Sequence, residues 1–351
     1  MTERFIAKIK RPTRTNETFS KIAEEFLRVQ EGKGNSKETI KHYQCGIRKL
    51  KKFFCWMKHS EKEYSSYTDQ EQYSKGGEIP ISIFNENDFE INFRRFLLDV
   101  EEVSEITVCT HFRDYRAIAY WLMNKGYIDK REIALKNVES DIKEVYSDSE
   151  IAKLLRKPKA DCSFVEYRNW VVIHHFLATG NRISTVCAIK LKDIDWHDGM
   201  LSIQVQKNKR KTRIPLESTY LKVLREYVDT WLTNDDGDYL CEYLFPSAFI
   251  NAPEQMSRVT LGRSIAEYNK SRKVSKTSAH LFRHTFAKHW IMSGKDLHSL
   301  QKMLGHSTLD MVTHYANLYD VDLIPKVEEQ SILKEHKQQS KIGSNLRTRR
   351  R

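Results

Sequence analysis

Four short segments in the C-terminal half of the sequence carry side chains able to bind anions and move protons. They are ATGNRISTVCAIKLKDID around Arg182, QKNKRKTRIPL around Lys207, HLFRHTF with His280 and Arg283, and LGHSTLDMVTHY with His306 and Tyr315. A guanidinium presents paired N–H donors that match two oxygens of one anion, so two of them can hold it from different sides. Imidazole and ammonium groups transfer protons near neutral pH when their surroundings tune them. A phenol has a pKa near ~10 and becomes a useful nucleophile only when a base or a positive field helps it ionise. Arg182 and His280 are 98 residues apart, Arg283 and His306 are 23 apart, and His306 and Tyr315 are 9 apart. Cooperation among them requires a fold that gathers distant segments around one point.

Plainer readings exist for each residue alone. A tyrosine at helical spacing is ordinarily a packing residue, and the chain has 16; Tyr319, four residues after Tyr315, is the nearest competitor for the same role. His280 and His284 stand at the i, i+4 spacing of a zinc-binding helix, but Leu281 occupies the place where such a motif needs glutamate, so no metal site is read there. In the KNKRK stretch, Lys209, Arg210 and Lys211 are either a solvated turn or contacts to phosphate.

Taken together, in this order and at these spacings, the segments resemble the conserved boxes of the tyrosine recombinase (phage integrase) family. The resemblance covers about residues 144–325. It implies that Arg182 and Arg283 bind the scissile phosphate, that Lys207 is the hairpin lysine, that His280 and His306 support them, and that Tyr315 is the nucleophile. The residue types suit that task. In-line attack on a phosphodiester builds charge on the nonbridging oxygens, which two fixed guanidiniums can stabilise. His280 is the candidate base for the phenol and Lys207 the candidate acid for the departing 5′ oxygen; His306 follows Gly305, a helix C-cap by its position, and is placed to donate to the phosphate. The phosphotyrosine keeps the ester-bond energy for rejoining, so no metal, nucleotide or other cofactor is expected. Three positions depart from the family pattern: Thr185 replaces a frequent acidic residue, and Met311 and Val312 replace hydroxyl residues before the tyrosine.

Periodicity supplies the elements that must carry these residues. Ser147 and Glu150 predict a capping box opening a helix through Ile151, Leu154 and Leu155. A helix from about Tyr167 to Thr179 is stopped at Gly180, and Arg182 opens the next. Alternation at Leu201, Ile203 and Val205, a polar turn near Asn208 to Arg210, and Arg213 to Leu216 predict a hairpin. The earlier half reads as a helical bundle. Phe19, Ile22, Ala23, Phe26 and Leu27 mark one helix, ended by Gly32 and Gly34. A second, capped by Asn35 or Ser36, turns Ile40, Tyr43, Ile47, Leu50 and Phe54 inward and Lys37, Lys41, Arg48, Lys51 and Lys52 outward. Residues 58–80 read as a loop, because they lack sustained periodicity and contain Gly76, Gly77 and Pro80. Phe89, Phe93, Phe96 and Leu97 mark a third helix, and Val108, Phe112, Tyr115, Ala119 and Leu122 a fourth that ends near Gly126.

The expected organisation is a flexible basic lead at 1–16, a helical core-site DNA-binding domain at 17–128, a linker at 129–145, a catalytic domain at 146–334 and a basic tail at 335–351. The fold class is mainly α with a small antiparallel β-sheet in the C-terminal domain, arranged as a two-domain tyrosine-recombinase-like clamp. Lys41, Arg48 and Lys52, with Lys209 and Arg210, are the candidate DNA-binding residues; the helix carrying the first three is either a groove reader or a solvated face.

Composition bounds the function. With 351 residues the chain suits two cores, and 40% apolar residues can fill them. Lys and Arg number 59 against 47 acids, a net charge of +12 that favours a polyanion such as double-stranded DNA. Six scattered cysteines without CxxC spacing read as reduced thiols. Neither a signal-peptide core nor an apolar run of ~18 residues is found, so a cytoplasmic protein with no membrane span is expected. The resemblance further implies a homotetramer on DNA, with accessory DNA-bending or directionality proteins as possible partners. Val321, Leu323, Ile324, Val327 and Ile332 read as an apolar segment that docks on a neighbouring subunit or on its own domain. The reaction expected is cleavage and rejoining of DNA through a 3′-phosphotyrosine, for integration, excision or transposition of a mobile element. The alternatives are a type IB topoisomerase or telomere resolvase, and a catalytically silent architectural DNA-binding protein.

Overall fold

Polar caps and glycine stops set where the helices of this chain begin and end, and the computed structural model describes residues 16–136, 144–204, 211–247, 254–305 and 313. The chain divides into two units, Met1–Asp141 and Ile142–Arg351. The described residues are mainly helical with one small antiparallel sheet. Among them, no helix is long and apolar enough to cross a membrane.

In the first unit, α1 (Phe19–Gly32) packs on α2 (Lys37–Lys58), which Ser36 caps by accepting from the Thr39 N–H at 3.2 Å. Two short helices follow, α3 (Glu61–Ser66) and α4 (Asp69–Glu78). A 3₁₀ turn (Ile81–Asn85) leads into α5 (Phe89–Arg95), a π-helical turn (Phe96–Val100) and α6 (Glu105–Lys125), which Gly126 ends with φ 73°. The core is unusually aromatic. Phe53 lies 5.2, 5.0 and 5.6 Å from the rings of Phe89, Phe93 and Phe96, and each such pair contributes roughly 0.5–1.5 kcal/mol beyond area burial. Tyr127, Ile128 and Ile133 belong to this same core. Arg131 is fastened beside them, to Glu90 and to the Tyr115 hydroxyl at 2.9 Å each.

The expected loop at 58–80 is instead helical over most of its length. Ser60 with Glu63, and Thr68 with Glu71, form complete capping boxes that open α3 and α4. Gly76 and Gly77 do not break α4; they let it approach its neighbours. A Cβ on Gly76 would stand 1.8 Å from the Lys51 carbonyl oxygen, and one on Gly77 would stand 2.2 Å from Ser20 Oγ. Mid-helix glycine costs about 0.5–1 kcal/mol, which the close packing of α4 on α2 and α1 offsets.

In the second unit the Ser147–Glu150 capping box opens α7 (Asp148–Leu154). The central element is α8 (Phe164–Thr179), buried over most of its surface because α10 (Ser218–Trp231), α11 (Arg258–Ser271) and α12 (Ala279–Met292) pack around it. A single turn, α9 (Ile183–Val186), leads to the sheet of β1 (Ile194–Asp195), β2 (Met200–Gln204) and β3 (Lys211–Pro215). The strands run in the order β1-β2-β3, all antiparallel, with Leu201 opposite Ile214 and Ile203 opposite Thr212. Leu201 and Ile203 point into the core and Ser202 away from it, the period-2 pattern of a half-buried strand. The turn expected near Asn208 to Arg210 lies outside the described residues. The short α13 (Leu297–Leu304) closes on Gly305, in the left-handed region at φ 62°.

Candidate active site

Arg182 and Arg283 come from two elements far apart in sequence, and a third element ties these two together, while His280 shares the helix of Arg283. Arg182 caps α9 two residues after Gly180 ends α8. His280 and Arg283 lie in the first turns of α12, His280 exposed and Arg283 only 2% exposed. The Arg283 guanidinium donates from Nη1 to the Gly180 carbonyl and from Nη2 to the Leu304 carbonyl, both at 2.9 Å. Arg182 Nη1 reaches the same Leu304 carbonyl at 3.5 Å. The end of α8, the start of α12 and the end of α13 thus converge on Arg283.

Glycine makes this convergence possible. Gly180 has φ 62°, and a Cβ there would stand 2.5 Å from Phe286 Cδ1 and 2.7 Å from Leu304 Cδ2. No other residue fits without displacing one of those side chains. On α12, the His280 ring stands edge-on to that of His284, with centroids 4.6 Å apart, and the backbone N–H of His280 donates to the capping Ser278 Oγ at 3.3 Å. Tyr146 braces the start of the same helix: its ring stacks on Phe282 at 4.3 Å and its hydroxyl donates toward the Lys276 and Ser278 carbonyls at 3.3 Å.

Behind Arg182 lies a buried polar chain that the sequence reading did not identify. His175 on α8 is fully buried; its Nδ1 is 2.8 Å from the Tyr220 hydroxyl and its Nε2 is 3.1 Å from Asn181 Nδ2. Burial pushes its pKa down to about 3, so the ring is neutral. The available sequence signal was a polar Asn181 and a His175 close to the apolar run Trp170–Ile173. The two carbonyls that anchor Arg283 had no side-chain signal of their own, only the glycines near them.

Lys207, His306 and Tyr315, with Lys209 and Arg210, lie outside the described residues, as do Tyr319, the basic tail and the apolar segment from Val321 to Ile332.

Of the candidate DNA-binding residues on α2, Lys41 and Arg48 are exposed. Lys52 is not outward as expected. Its side chain is 13% exposed and paired with Asp69 at 2.7 Å and Glu101 at 3.7 Å, because α4 packs over that end of α2. Lys51 is half-buried by the same contact, and burial lowers its pKa.

A family model described as "Phage integrase family" matches residues 144–321. Tyrosine recombinase XerD of Staphylococcus haemolyticus is 25% identical over 303 residues, covering 85% of this chain and 94% of the relative. Among solved structures, the Tn1549 transposon integrase in complex with transposon right end DNA aligns with a TM-score of 0.61 at 18% identity, over 85% of this chain and 94% of that one. A lambda integrase tetramer bound to a Holliday junction aligns with a TM-score of 0.60 at 14% identity, over 87% of this chain and 82% of that one.

Proposed function

This chain belongs to the phage integrase family, and from that premise we propose that it is a site-specific recombinase that cuts and rejoins double-stranded DNA through a 3′-phosphotyrosine at Tyr315. The observation that carries the reading is the convergence of Arg182 and Arg283 on the carbonyl of Leu304, two residues before His306. Two guanidiniums so placed can grip the nonbridging oxygens of one phosphate as charge builds on them. The Tyr315 oxygen attacks phosphorus, the bond to the 5′ oxygen breaks, His280 takes the phenolic proton and Lys207 protonates the departing 5′ oxygen to give the free 5′ hydroxyl. His306 donates a hydrogen bond to the phosphate. Attack by a second 5′ hydroxyl then reverses the sequence and restores the phenol. No step calls for a cofactor, because the phosphotyrosine ester conserves the energy of the broken bond.

Strand exchange between two duplexes needs four such sites, so the working form is a homotetramer on DNA. The lambda integrase tetramer supports this as a structural relative. Integration or transposition of a mobile element is the proposed task, supported by likeness to the Tn1549 integrase. A second reading, chromosome dimer resolution, is favoured by the XerD relative, whose length this chain nearly spans. A duplex carrying the chain's recombination site and nicked beside the cleavage point tests the chemistry: loss of the short 5′ hydroxyl fragment should trap the protein on the 3′ end. Trapping by the wild type and none by Tyr315→Phe is expected; equal trapping by both sinks the assignment. Mapping the trapped junctions to inverted repeats of an element, or to a single chromosomal site, decides between the two tasks.

A further inference from the structure

The turn that delivers Arg182 is held at each of its residues. Thr179 Oγ1 donates to the His175 carbonyl at 2.7 Å and accepts from the Asn181 N–H at 3.3 Å. The Gly180 carbonyl accepts from Arg283 at 2.9 Å. The Asn181 side chain, in a residue only 4% exposed, points away from solvent and meets His175 Nε2 at 3.1 Å. Burying an amide costs about 1–3 kcal/mol unless it is hydrogen-bonded, so an apolar residue of similar size would serve packing alone as well or better. An amide at this position supplies direction, which an apolar residue does not.

The partner is suited to give that direction. A neutral imidazole has one donor and one acceptor nitrogen. If the Asn181 amide donates to Nε2, the ring proton sits on Nδ1 and goes to the Tyr220 oxygen, 2.8 Å away. Tyr220 is 2% exposed and lies on α10, so the chain of bonds runs from one helix through α8 to the residue beside Arg182. Enclosure keeps the imidazole neutral, with its pKa pushed down to about 3, and the arrangement therefore holds throughout the neutral range.

We propose that Asn181 is a positioning residue for Arg182: its buried hydrogen bond to His175, itself anchored by Tyr220, fixes the backbone from which the Arg182 guanidinium reaches the Leu304 carbonyl and the scissile phosphate. This rests on the phosphate-binding reading of Arg182 given above. The contact acts on geometry and touches neither DNA nor a reacting atom. Misplacing a phosphate-gripping group by a fraction of an ångström slows the chemical step while leaving most of the DNA contacts, and hence affinity, intact.

The test is single-turnover cleavage of the nicked duplex by the full chain, with rates normalised to the folded fraction. Asn181→Leu should slow cleavage by about 30-fold while changing DNA affinity less than about threefold. His175→Phe should match it, and the double variant should be no slower than either single one, because both remove the same contact. His175→Gln, which keeps a donor and an acceptor, should recover most of the rate. In an Arg182→Lys background, which is itself slow, adding Asn181→Leu should cost less than about threefold. Tyr220→Phe removes one oxygen and no packing volume, and should slow cleavage severalfold in the wild-type background only; this variant decides the matter if Asn181→Leu folds poorly. A wild-type rate for Asn181→Leu beside a slow Arg182→Lys overturns this inference alone. Equal slowing by Asn181→Leu in both backgrounds also overturns it, since a loss that does not pass through Arg182 is general. A wild-type rate for Arg182→Lys removes the phosphate reading of Arg182 and this inference with it.

Discussion

Arg182 and Arg283 meet on one backbone oxygen, the carbonyl of Leu304, at 3.5 and 2.9 Å. They meet it in different ways. Arg283 is buried and clasps a second carbonyl, that of Gly180, whereas Arg182 is half-buried and makes the longer contact. Arg283 therefore holds the site together as well as serving it, and Arg182 does much less of the first.

Lysine in place of each should separate those roles. A lysine at position 283 has three donors on one nitrogen but lacks the planar fork that sets Nη1 and Nη2 each against its own carbonyl, and an acceptor left unpaired in the interior costs about 1–3 kcal/mol. Arg283→Lys should thus lower the melting temperature of the second unit by roughly 4–8 °C. Arg182→Lys should lower it by less than about 2 °C. Both should cut covalent trapping on the nicked duplex by about 100-fold or more. Thermal melts beside trapping assays check this; equal melting shifts for the two variants would mean that Arg283 is not the clasp described.

Gly180→Ala should disturb stability and chemistry together. The left-handed backbone costs an L-residue about 1–2 kcal/mol, and the added methyl group must push Phe286 or Leu304 aside. We expect roughly 3 kcal/mol of lost stability by urea denaturation. Because Leu304 carries the shared carbonyl, cleavage per folded molecule should also fall about tenfold. A normal rate per folded molecule would show that the turn tolerates the shift.

What the sequence disclosed and what it concealed follow from the range of the forces involved. The caps at Ser36 and Ser147, the stops at Gly126, Gly180 and Gly305 and the alternation of Leu201 and Ile203 are local patterns, and the elements stand where those patterns put them. Gly76 and Gly77 misled the reading because a helix-breaking glycine and a close-packing glycine look alike until the neighbouring helix is known; the capping boxes at Ser60 and Thr68 were the contrary local signal. Lys52 was misplaced for the same reason, since its exposure depends on α4 folding over α2. The motif arginines were legible as residue types. Their meeting point was not, because a backbone carbonyl leaves no mark on composition. His175, Asn181 and Tyr220 escaped because a buried polar chain is spread over 45 positions between its ends at 175 and 220 and has no period.

The difference between Lys52 and its neighbours should appear in salt titrations of DNA binding. Each phosphate neutralised contributes about −0.9 to the slope of log K against log salt. Lys41→Ala and Arg48→Ala should each make the slope shallower by about that amount if their exposed charges meet phosphate. Lys52→Ala should leave the slope unchanged and instead lower the stability of the first unit, by about 1 kcal/mol, as its ion pairs with Asp69 and Glu101 are lost. Unchanged slopes for both Lys41→Ala and Arg48→Ala would remove this face of α2 from the DNA interface.

Asp114 in the first unit and His175 in the second should respond to pH in opposite directions. In the first, the side chain of Asp114 is 4% exposed, lies against Gly46 and is paired with His42 Nε2 at 2.9 Å. Burial raises its carboxyl pKa to about 6 despite the opposing pull of His42. Below the ordinary carboxyl value near ~3.9 both folded and unfolded chains keep the proton, and Asp114 then costs nothing. As pH rises toward 6 the unfolded chain ionises first, so stability drains away until the folded carboxyl ionises too. In the second unit His175, with its pKa near 3, takes up a proton on unfolding wherever pH lies between that value and the ordinary ~6.5, so acid weakens that unit. Asparagine at position 114 matches the shape without the charge. Asp114→Asn should therefore raise first-unit stability at pH 7.5 by on the order of 2 kcal/mol and by no more than about 0.5 kcal/mol at pH 4, measured as urea midpoints. An equal gain at both pH values would trace the effect to packing and not to the buried charge.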